Sequence, residues 1–363
     1  MKNLKLCIVM SSHWAARSGG AELQVRRLID ELAREPNLDI TYLARNVAEY
    51  SSDSRYKVLK IPTPRSLTRL GFWPDAMRLY RLLEKESPDV VYQRVGCAYT
   101  GICAFYCRQR NVRYVWHVSL DNDLHPEIGR FPSFSRPIER WIRDYGIRNA
   151  DQIITQTSDQ SDMLLERFGK MSTVVPNFHD IPETRIEKRA KFTIVWVANF
   201  KPAKCPEAFL EIVNAFPDDW DAHFIMVGRG GDKEPYASMI RAASRRASFD
   251  YLGELPVSAV EELIESAHCL VNTSAVEGFP NTFIQSWYRR TVVASLAIDP
   301  DRTLSELGNG LLEDSPSKLA AAIDEVRNDV AKFDSITERA YRYACVRHNA
   351  SNAIRLAELI LDR

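Results

Sequence analysis

The chain begins with an apolar run of strand length, LKLCIVMSS at 4–12, and a glycine-containing loop separates it from the segment AELQVRRLIDELA. The apolar positions of that second segment recur with a spacing near 3.6, which is typical of an amphipathic helix. Further apolar runs predict strands at 39–44, 56–61, 89–93, 113–118 and 151–156. Because helical patterns lie between several of these runs, we expect a parallel sheet covered by helices on both faces.

The same order of elements starts again at Lys191. KFTIVWVANF predicts a strand, KPAKCP a loop and EAFLEIVNAF a helix. More strands are predicted at 222–228, 249–253, 268–272 and 291–296. The sequence itself does not repeat, so the fold class is α/β with two Rossmann-like, doubly wound domains. Such domains facing each other create a cleft at the carboxyl ends of both sheets, where ligands of open α/β sheets bind.

The domain boundaries follow from a polar stretch and a terminal helix. The segment 177–191 is polar and charged, and the pattern from about Thr337 to Leu361 is helical. We therefore predict an acceptor-side domain at 1–185 and a nucleotide-binding domain at 186–340. The remaining residues, 341–363, should form a helix that packs back towards the first domain.

Composition excludes several classes of protein. The 363 residues are 45% hydrophobic and 26% charged, which is typical of a folded globular protein. The 48 basic residues equal the 48 acidic residues, which argues against a nucleic-acid partner. Residues 1–185 carry a net charge of roughly +5 and the rest roughly −5. This asymmetry favours an anionic or membrane-surface partner for the first half, although chance explains it equally well.

The sequence also predicts where the protein resides. No apolar run reaches the ~18 residues of a membrane-spanning helix, and Leu4 to Met10 is too short for a signal peptide. The seven cysteines include no C-x-x-C pair, which indicates reduced thiols and no structural zinc. We expect a cytoplasmic protein, with the inner face of the cell membrane as an alternative location.

Three loops present a helix N-terminus to a possible phosphate group. The first holds Gly19 and Gly20 beside the cation of Arg17. The two glycines allow close approach of a ligand, and a turn that needs positive φ explains them equally well. Since no G-x-G-x-x-G motif occurs, a dinucleotide dehydrogenase loses its main support.

The second loop runs from Lys201 to Pro206. Two lysines, Lys201 and Lys204, stand beside a helix N-terminus, where positive charge is unfavourable unless an anion binds. Solvated surface lysines are the alternative interpretation.

The third loop contains Glu277, whose carboxylate can accept hydrogen bonds from ligand hydroxyls. The same stretch places Gln285 three residues after Thr282, the spacing of a T-x-x-Q capping box. Gln285 therefore either contacts a ligand or caps its own helix.

Four segments together resemble the family-4 glycosyltransferases, retaining enzymes of the GT-B fold that use sugar nucleotides. The segments are SGGAE, VVPNF at 174–178, VANFKPAKCP at 197–206 and NTSAVEGFPNTFIQSW at 272–287. The resemblance covers nearly the whole chain, and EGFPN is its most specific part.

The resemblance implies a role for each matching residue. Gly19 and Gly20 would lie against the donor diphosphate, and His117 would face the donor sugar. Lys204 would neutralise the diphosphate, and Glu277 would hold sugar hydroxyls as the first acid of an E-x7-E motif. These residues supply the predicted catalytic set: Glu277, His117 and Lys204.

The resemblance also implies a wider donor-binding surface. The backbone of one loop would approach the sugar and phosphate, at Gly278, Phe279, Pro280, Asn281 and Thr282. Recognition of the base would involve the loops at Gly228 and Glu254. Two departures from the family pattern affect which nucleotide is bound. Gln285 replaces the second acid of the motif, which binds ribose hydroxyls. Asn199 stands where an arginine often precedes the phosphate lysine, which is Lys204 here. Arg17 or Lys201 would compensate for that missing arginine.

Residues near His117 have simpler explanations as well. A histidine at a strand end is more often structural, and Asp121 and Asp123 are as typical of loop capping as of acceptor contacts. The segment 129–148 mixes aromatic and arginine residues, which suits either an anionic membrane face or a packed helix.

The resulting hypothesis is a retaining, metal-independent glycosyltransferase without a cofactor. It would move a sugar from a UDP- or GDP-type donor to a glycan or lipid-linked glycan, in bacterial surface-polysaccharide synthesis. Two alternatives stay open: a non-catalytic protein that binds sugar nucleotides, and a GT-B-type sugar-nucleotide epimerase. The sequence does not predict the oligomeric state.

Overall fold

In a computed structural model, the chain folds into two α/β units. The first unit consists of Met1–Phe178 and Ala350–Arg363, and the second consists of His179–Asn349. The structure describes residues 3–17, 19–48, 55–63, 65–125, 136–183 and 186–362.

Within the described residues, the first unit contains one parallel sheet of seven strands in the order β3-β2-β1-β4-β5-β6-β7. The strands are β1 (Leu4–Ser12), β2 (Leu38–Asn46), β3 (Lys57–Lys60), β4 (Val90–Arg94), β5 (Arg113–His117), β6 (Gln152–Thr155) and β7 (Thr173–Val174). The helices are α1 (Gly20–Leu32), α2 (Ala76–Glu86), α3 (Ala98–Arg110), α4 (Asp121–Leu124), α5 (Arg136–Arg148) and α6 (Ser158–Phe168). Two short 3-10 helices precede α2, at Arg65–Leu70 and Trp73–Asp75.

The second unit repeats this architecture with a sheet of six strands in the order β10-β9-β8-β11-β12-β13. The strands are β8 (Phe192–Val197), β9 (Ala222–Val227), β10 (Phe249–Tyr251), β11 (Cys269–Asn272), β12 (Val292–Ser295) and β13 (Leu311–Leu312). The helices are α7 (Pro206–Ala215), α8 (Tyr236–Ala243), α9 (Val257–Ser266), α10 (Asn281–Tyr288), α11 (Pro316–Asn328) and α12 (Val330–Arg347). Short 3-10 helices lie at Pro202–Lys204 and Pro300–Arg302.

Both faces of each sheet are buried, as the continuous apolar runs predict. On β1, Cys7 and Val9 belong to one core cluster, whereas Leu6 and Ile8 belong to another. Adjacent strand residues point to opposite faces, so one strand feeds two cores. The second unit likewise has two core clusters, one on each side of its sheet. This is the doubly wound α/β arrangement that the sequence predicts.

In each sheet the strand order reverses at one place. In the first sheet β1 lies between β2 and β4, and in the second β8 lies between β9 and β11. In each sheet the chain crosses here to the other side of its first strand, β1 or β8. The loops that follow the two central strands, β1 and β4 or β8 and β11, therefore diverge. A crevice forms at the carboxyl ends of those strands, which is where open α/β sheets bind ligands.

The C-terminal helical pattern forms two helices rather than one. α12 ends at Arg347 and α13 (Ser351–Leu361) begins after a break. At the break, the Asn349 amide donates to the carbonyls of Cys345 and Val346 at the end of α12, at 2.9 and 3.1 Å. This side chain satisfies carbonyls that a continuing helix would have bonded, so the prediction of one helix was wrong.

The last helix belongs to the first unit. α13 packs on α1, and Leu356 and Ile360 are buried in the core that contains β1. Arg113 on β5 donates to the carbonyl of Leu359 at 2.9 Å and pairs with Asp362 at 2.7 Å.

The structural division of the chain differs from the predicted boundaries at 185 and 340. The Gln24 side chain on α1 bonds both the amide and the carbonyl of Phe178, at 3.1 and 2.9 Å, whereas the amide of His179 donates to His348 in the second unit. The chain therefore changes units between Phe178 and His179. Residues 341–349 also belong to the second unit.

All seven cysteines are free, and five of them are buried. None of the described helices is long and apolar enough to cross a membrane.

Candidate active site

Two loops of the second unit meet at the carboxyl edge of its sheet. One follows β8 and leads to α7, and the other follows β11 and leads to α10. Because β8 and β11 are neighbours in the sheet, these loops lie side by side, and the amide of Ala275 donates to the carbonyl of Ala203 at 3.0 Å. Half of the predicted donor-binding residues lie on these loops, and Asn281, Thr282 and Gln285 follow on α10.

The structure brings Lys204 and Glu277 into direct contact. The Lys204 ammonium Nζ donates to Oε1 of Glu277, and the Ser274 hydroxyl donates to the same oxygen at 2.9 Å. Oε2 of Glu277 makes no hydrogen bond to any described residue. The Lys204 side chain is 25% exposed and that of Glu277 is 13% exposed. A cation and a carboxylate with a free oxygen therefore stand together at the edge of the sheet.

Thr273 fixes the backbone that carries Lys204. The indole Nε1 of Trp196 donates to the Thr273 hydroxyl at 2.9 Å, and this hydroxyl donates to the carbonyl of Lys204 at 2.7 Å. Trp196 and Thr273 are both buried. A hydroxyl both accepts and donates, so one side chain connects the core of the sheet to the loop.

Two helices begin at these loops without a side-chain cap. α7 begins at Pro206 after Cys205, and α10 begins at Asn281 after Pro280. Their first backbone N–H groups make a positive site that favours anions. Among the other predicted residues of the α10 loop, Gly278 and Phe279 are buried and Thr282 is half-buried. The Asn281 side chain contacts His179 Nε2 at 3.0 Å.

Gln285 is buried, and its amide donates to Oε1 of Glu261 on α9 at 3.1 Å. Arg289 holds the other oxygen of Glu261, also at 3.1 Å. The T-x-x-Q capping box does not form, because α10 begins at Asn281 and Thr282 therefore lies inside the helix. The capping interpretation of Gln285 was therefore wrong, and its amide is anchored to a neighbouring helix.

The remaining predicted residues of the second unit lie on the loop between β8 and α7 and on the loops that follow β9 and β10. Lys201 is exposed at the start of its 3-10 helix, and Asn199 is half-buried just after β8. Gly228 has a φ of +151°, and a Cβ there would lie 1.7 Å from the carbonyl oxygen of Ala198, so only glycine fits. Glu254 is exposed, 4.0 Å from Arg229.

In the first unit, Gly19 and Gly20 form the start of α1. Gly19 is extended, with φ −157° and ψ 165°, and Gly20 is the first helical residue. Neither has a positive φ, so the alternative of a turn that requires positive φ was wrong. Arg17 is exposed on the same loop.

His117 ends β5 and is 1% exposed. Its Nδ1 lies 2.8 Å from the Tyr92 hydroxyl, and its Nε2 has no hydrogen-bond partner among the described residues. Burial, and then the charge of Arg94, lower the pKa of His117 well below its ordinary value. Burial disfavours the charged imidazolium, and the nearby guanidinium repels it. His117 is therefore neutral near pH 7.

Asp123 and Asp121 are held by the first unit's own loops. Asp123 accepts from the amides of Ser119 and Leu120, at 2.9 and 3.1 Å, which matches the capping interpretation. Asp121 accepts from the Gln160 amide at 2.9 Å. Of the segment 129–148, residues 129–135 lie outside the described part of the chain, and α5 contains the rest.

Sequence reasoning missed several residues at these sites. Thr273 and Ser274 carried a signal, since both directly follow a predicted strand in NTSAVEG. Tyr92 lies within the strand predicted at 89–93, where polar residues in an otherwise apolar run are unusual, and Arg94 directly follows that predicted strand. Within the described residues, no three or more His, Cys, Asp or Glu side chains are grouped so that they could hold a metal ion.

Comparison with known proteins connects this architecture to a class of enzyme. The model "Glycosyltransferase Family 4" matches residues 18–182, and the model "Glycosyl transferases group 1" matches residues 179–343. The lipopolysaccharide 1,6-galactosyltransferase of Salmonella typhimurium is 22% identical in an alignment over 280 residues that covers 74% of this chain and 74% of that one.

Solved structures match over nearly the whole length. The sucrose-phosphate synthase of Thermosynechococcus elongatus has a TM-score of 0.80 at 13% identity and covers 99% of both chains. Anabaena HepE, in complex with UDP and glucose, has a TM-score of 0.79 at 17% identity, over 99% of this chain and 100% of that one.

Two linked α/β units of this topology define the GT-B class. The chain belongs to the family-4 glycosyltransferases of the GT-B fold, as the resemblance implies.

Proposed function

We propose that this glycosyltransferase moves a hexose from a UDP-sugar to a hydroxyl of a lipid-linked glycan, with retention of configuration and without a metal ion. The contact between Lys204 and Glu277 carries the proposal, because one group suits a diphosphate and the other suits sugar hydroxyls. The UDP complex of HepE and the lipopolysaccharide galactosyltransferase support the choice of donor and acceptor. The acceptor would be met on the cytoplasmic side of the cell membrane.

Leaving-group stabilisation is the main catalytic effect in this proposal. The bond between the anomeric carbon and the phosphate oxygen breaks, and UDP departs with growing negative charge. The Lys204 ammonium and the uncapped N-termini of α7 and α10 are positive groups fixed in place before the reaction. Such preorganised charges contribute most when they face the charge that develops in the transition state.

Glu277 orients the sugar. Its Oε2 accepts from sugar hydroxyls while Ser274 holds Oε1. The acceptor hydroxyl attacks the anomeric carbon on the face that UDP leaves, and its proton passes to the departing phosphate oxygen. The products are the glycosylated acceptor and UDP, so atoms and charges balance without a protein nucleophile. His117 would contact the sugar, and Gly19 and Gly20 would approach the diphosphate.

Ligand binding would change the Lys204–Glu277 contact. The Lys204 ammonium is paired with Glu277, and a diphosphate with more negative charge would compete for it. Lys204 would then bridge the carboxylate and the phosphate. Lys201 and Asn199 on the same loop would complete this cradle, and Gly228 and Glu254 would border the base.

We also propose that the first unit rests on an anionic membrane through α5. Trp141 on this helix is 73% exposed and Ile138 is 50% exposed, and Arg140 beside them is exposed as well. An exposed tryptophan next to arginine suits the interface of an anionic bilayer.

The catalytic proposal is tested by Lys204→Ala and Glu277→Ala, with Lys318→Ala on α11 as the control. Transfer from UDP-galactose and UDP-glucose to a lipopolysaccharide core acceptor is followed by release of UDP. We expect kcat to fall roughly 10²–10³-fold for each site variant, as for removal of a preorganised charge contact, and to stay unchanged for the exposed control.

Each further readout decides one part of the proposal. Proton NMR of the product should show the same anomeric configuration as the donor, and EDTA should leave the rate unchanged. Near-full turnover of both site variants would exclude this mechanism. Interconversion of the sugar nucleotide without acceptor would identify an epimerase, and tight UDP binding without any turnover would identify a non-catalytic protein.

A further inference from the structure

Buried polar side chains surround His117 at the carboxyl edge of the first sheet. Arg94 and His117 are paired in register on the neighbouring strands β4 and β5, and they are 2% and 1% exposed. Tyr92 precedes Arg94 by two residues, so both side chains lie on the same face of the sheet. The Tyr92 hydroxyl is hydrogen-bonded to Nδ1 of His117 at 2.8 Å, and the positive charge of Arg94 acts on both side chains.

Two amide side chains fix the position of Arg94. The Gln156 amide Nε2 donates to the carbonyls of Val118 and Ser119, at 2.9 and 2.8 Å, and carbonyl oxygens only accept. Its Oε1 therefore accepts from the Asn177 amide at 2.7 Å. The Asn177 oxygen is then left to accept from Arg94 Nη2 at 2.7 Å. Both amide orientations and the position of Arg94 follow from these contacts.

The contact with Tyr92 sets the tautomer of His117. The positive charge of Arg94 acts on Tyr92 and favours a hydroxyl hydrogen that points away from the guanidinium. Among the described residues, this hydrogen has one hydrogen-bond partner, Nδ1 of His117. If Nδ1 carried the hydrogen instead, the buried hydroxyl would be left without an acceptor, which is unfavourable.

We propose that Arg94 and Tyr92 are positioning residues that hold His117 in the tautomer with its hydrogen on Nε2. His117 then donates a hydrogen bond from Nε2 to an oxygen of the substrate, and it does not act as a general base there. The absence of a protein partner for Nε2 among the described residues fits this role, since buried donors without partners are rare. That the substrate is a sugar nucleotide rests on the proposed function.

The tautomer is tested directly by nuclear magnetic resonance on protein labelled with nitrogen-15 histidine. The His117 signals are identified by their loss in His117→Gln. We expect Nδ1 to be unprotonated and Nε2 protonated in the wild type, and Tyr92→Phe to shift both signals towards a mixture of tautomers. A protonated Nδ1 in the wild type would overturn the proposal. This measurement needs no substrate, so it stays decisive even if the proposed activity is absent.

Kinetics separate positioning from general stability. Loss of one buried hydrogen bond should lower kcat/KM about tenfold in Tyr92→Phe. The same change in a His117→Ala background should have no further effect, because Tyr92 acts through His117. Tyr106→Phe is the matched control, since this buried hydroxyl donates to the carbonyl of Leu83 outside the site. An equal loss in both backgrounds would overturn the proposal.

A second pair of variants tests the donor role. The Nε2 of glutamine replaces the N–H of a histidine Nε2 and has no basic nitrogen. His117→Gln should therefore retain several-fold more activity than His117→Ala. Equal loss in the two variants would argue that His117 takes up a proton instead.

Discussion

At the scale of single residues, small hydroxyl groups position the larger charged ones. Thr273 accepts from Trp196 and donates to the Lys204 backbone, and Ser274 donates to Glu277. Valine has the size of threonine but can make neither bond, so it would leave a buried indole N–H and a carbonyl unpaired. The geometry of the Lys204–Glu277 pair thus depends on two neutral side chains.

His268 predicts how the stability of the second unit depends on pH. Burial, and then the charge of Lys188, lower its pKa to about 4, whereas an unfolded histidine titrates near 6.5. Its Nδ1 accepts from the Thr193 amide at 3.1 Å, and a proton there would remove that bond. Between pH 6.5 and 4 the unfolded chain binds more protons, so stability is full above pH 6.5 and falls as the pH falls.

We expect His268→Asn to flatten this dependence, because asparagine can accept from Thr193 and does not titrate. Urea unfolding at pH 7.5, 6.5, 5.5 and 4.5 would measure it. On acidification, the free energy of unfolding should fall more steeply for the wild type than for His268→Asn. The two slopes against pH should differ by up to about one proton per molecule. At pH 7.5 the two proteins should differ little in free energy of unfolding. Parallel curves over all four pH values would contradict the assignment of this pH dependence to His268.

The candidate site was predictable as a set of loops but not as a set of contacts. Apolar runs located the strand ends, and Lys204 and Glu277 follow two of them. Their direct contact depends on β8 and β11 being neighbours, which the chain order does not state. The partner of Gln285 was equally hidden, since Glu261 lies on another helix.

At the scale of elements, strands were easier to predict than helix ends. The run at 89–93 became Val90–Arg94 and the run at 113–118 became Arg113–His117. The two-residue strands β7 and β13 escaped prediction because so short a segment has no period to detect. The helical pattern from 337 to 361 hid a break at Asn349, because apolar spacing continues on both sides of it.

α5 supplies the element-scale prediction. A bilayer contact through Trp141 should be weakened by Trp141→Ser, since burying such a side chain contributes about 1.5–3 kcal/mol, or at least roughly tenfold in affinity. Co-sedimentation with vesicles of phosphatidylglycerol and phosphatidylcholine measures the bound fraction at low and high salt. Binding of the wild type should decrease with salt, because the arginines contribute through screened charge.

Val346→Ser is the matched control for that experiment. Val346 lies on α12 of the second unit and is 81% exposed, so the substitution removes exposed apolar surface away from α5. Val346→Ser should therefore leave vesicle binding unchanged. If both variants bind as the wild type does, or if the wild type does not bind at low salt, α5 is not a membrane face.

At the scale of the whole molecule, one pattern of strands and helices produces two units with separate cores. Each unit has apolar clusters on both faces of its sheet, and the chain passes from one unit to the other at Phe178 and returns at Ala350. The architecture was predictable because alternating strands and helices favour parallel sheets. The return point was not, because the sequence near 341–350 shows no change of composition.

The return of the chain makes the first unit depend on the C-terminus. α13 contributes Ala353, Leu356, Ala357, Ile360 and Leu361 to the core shared with β1 and α1. Deleting 350–363 would expose that core. The lost burial of two aliphatic side chains alone would lower the free energy of unfolding by about 3–6 kcal/mol. Since domains are stable by only about 5–15 kcal/mol, we expect the first unit to unfold or nearly so.

Hydrogen exchange with mass spectrometry distinguishes the two units in the truncated protein. Amides of β1, β4 and β5 should lose most of their protection, whereas those of β8 and β11 should keep it, because no residue of α13 belongs to the core clusters of the second unit. Leu356→Ala in the full chain should give a milder loss confined to the same strands, about 2–5 kcal/mol. Equal loss of protection in both sheets would mean that the units unfold as one cooperative body, and unchanged protection in β1 would mean that α13 adds little to the core.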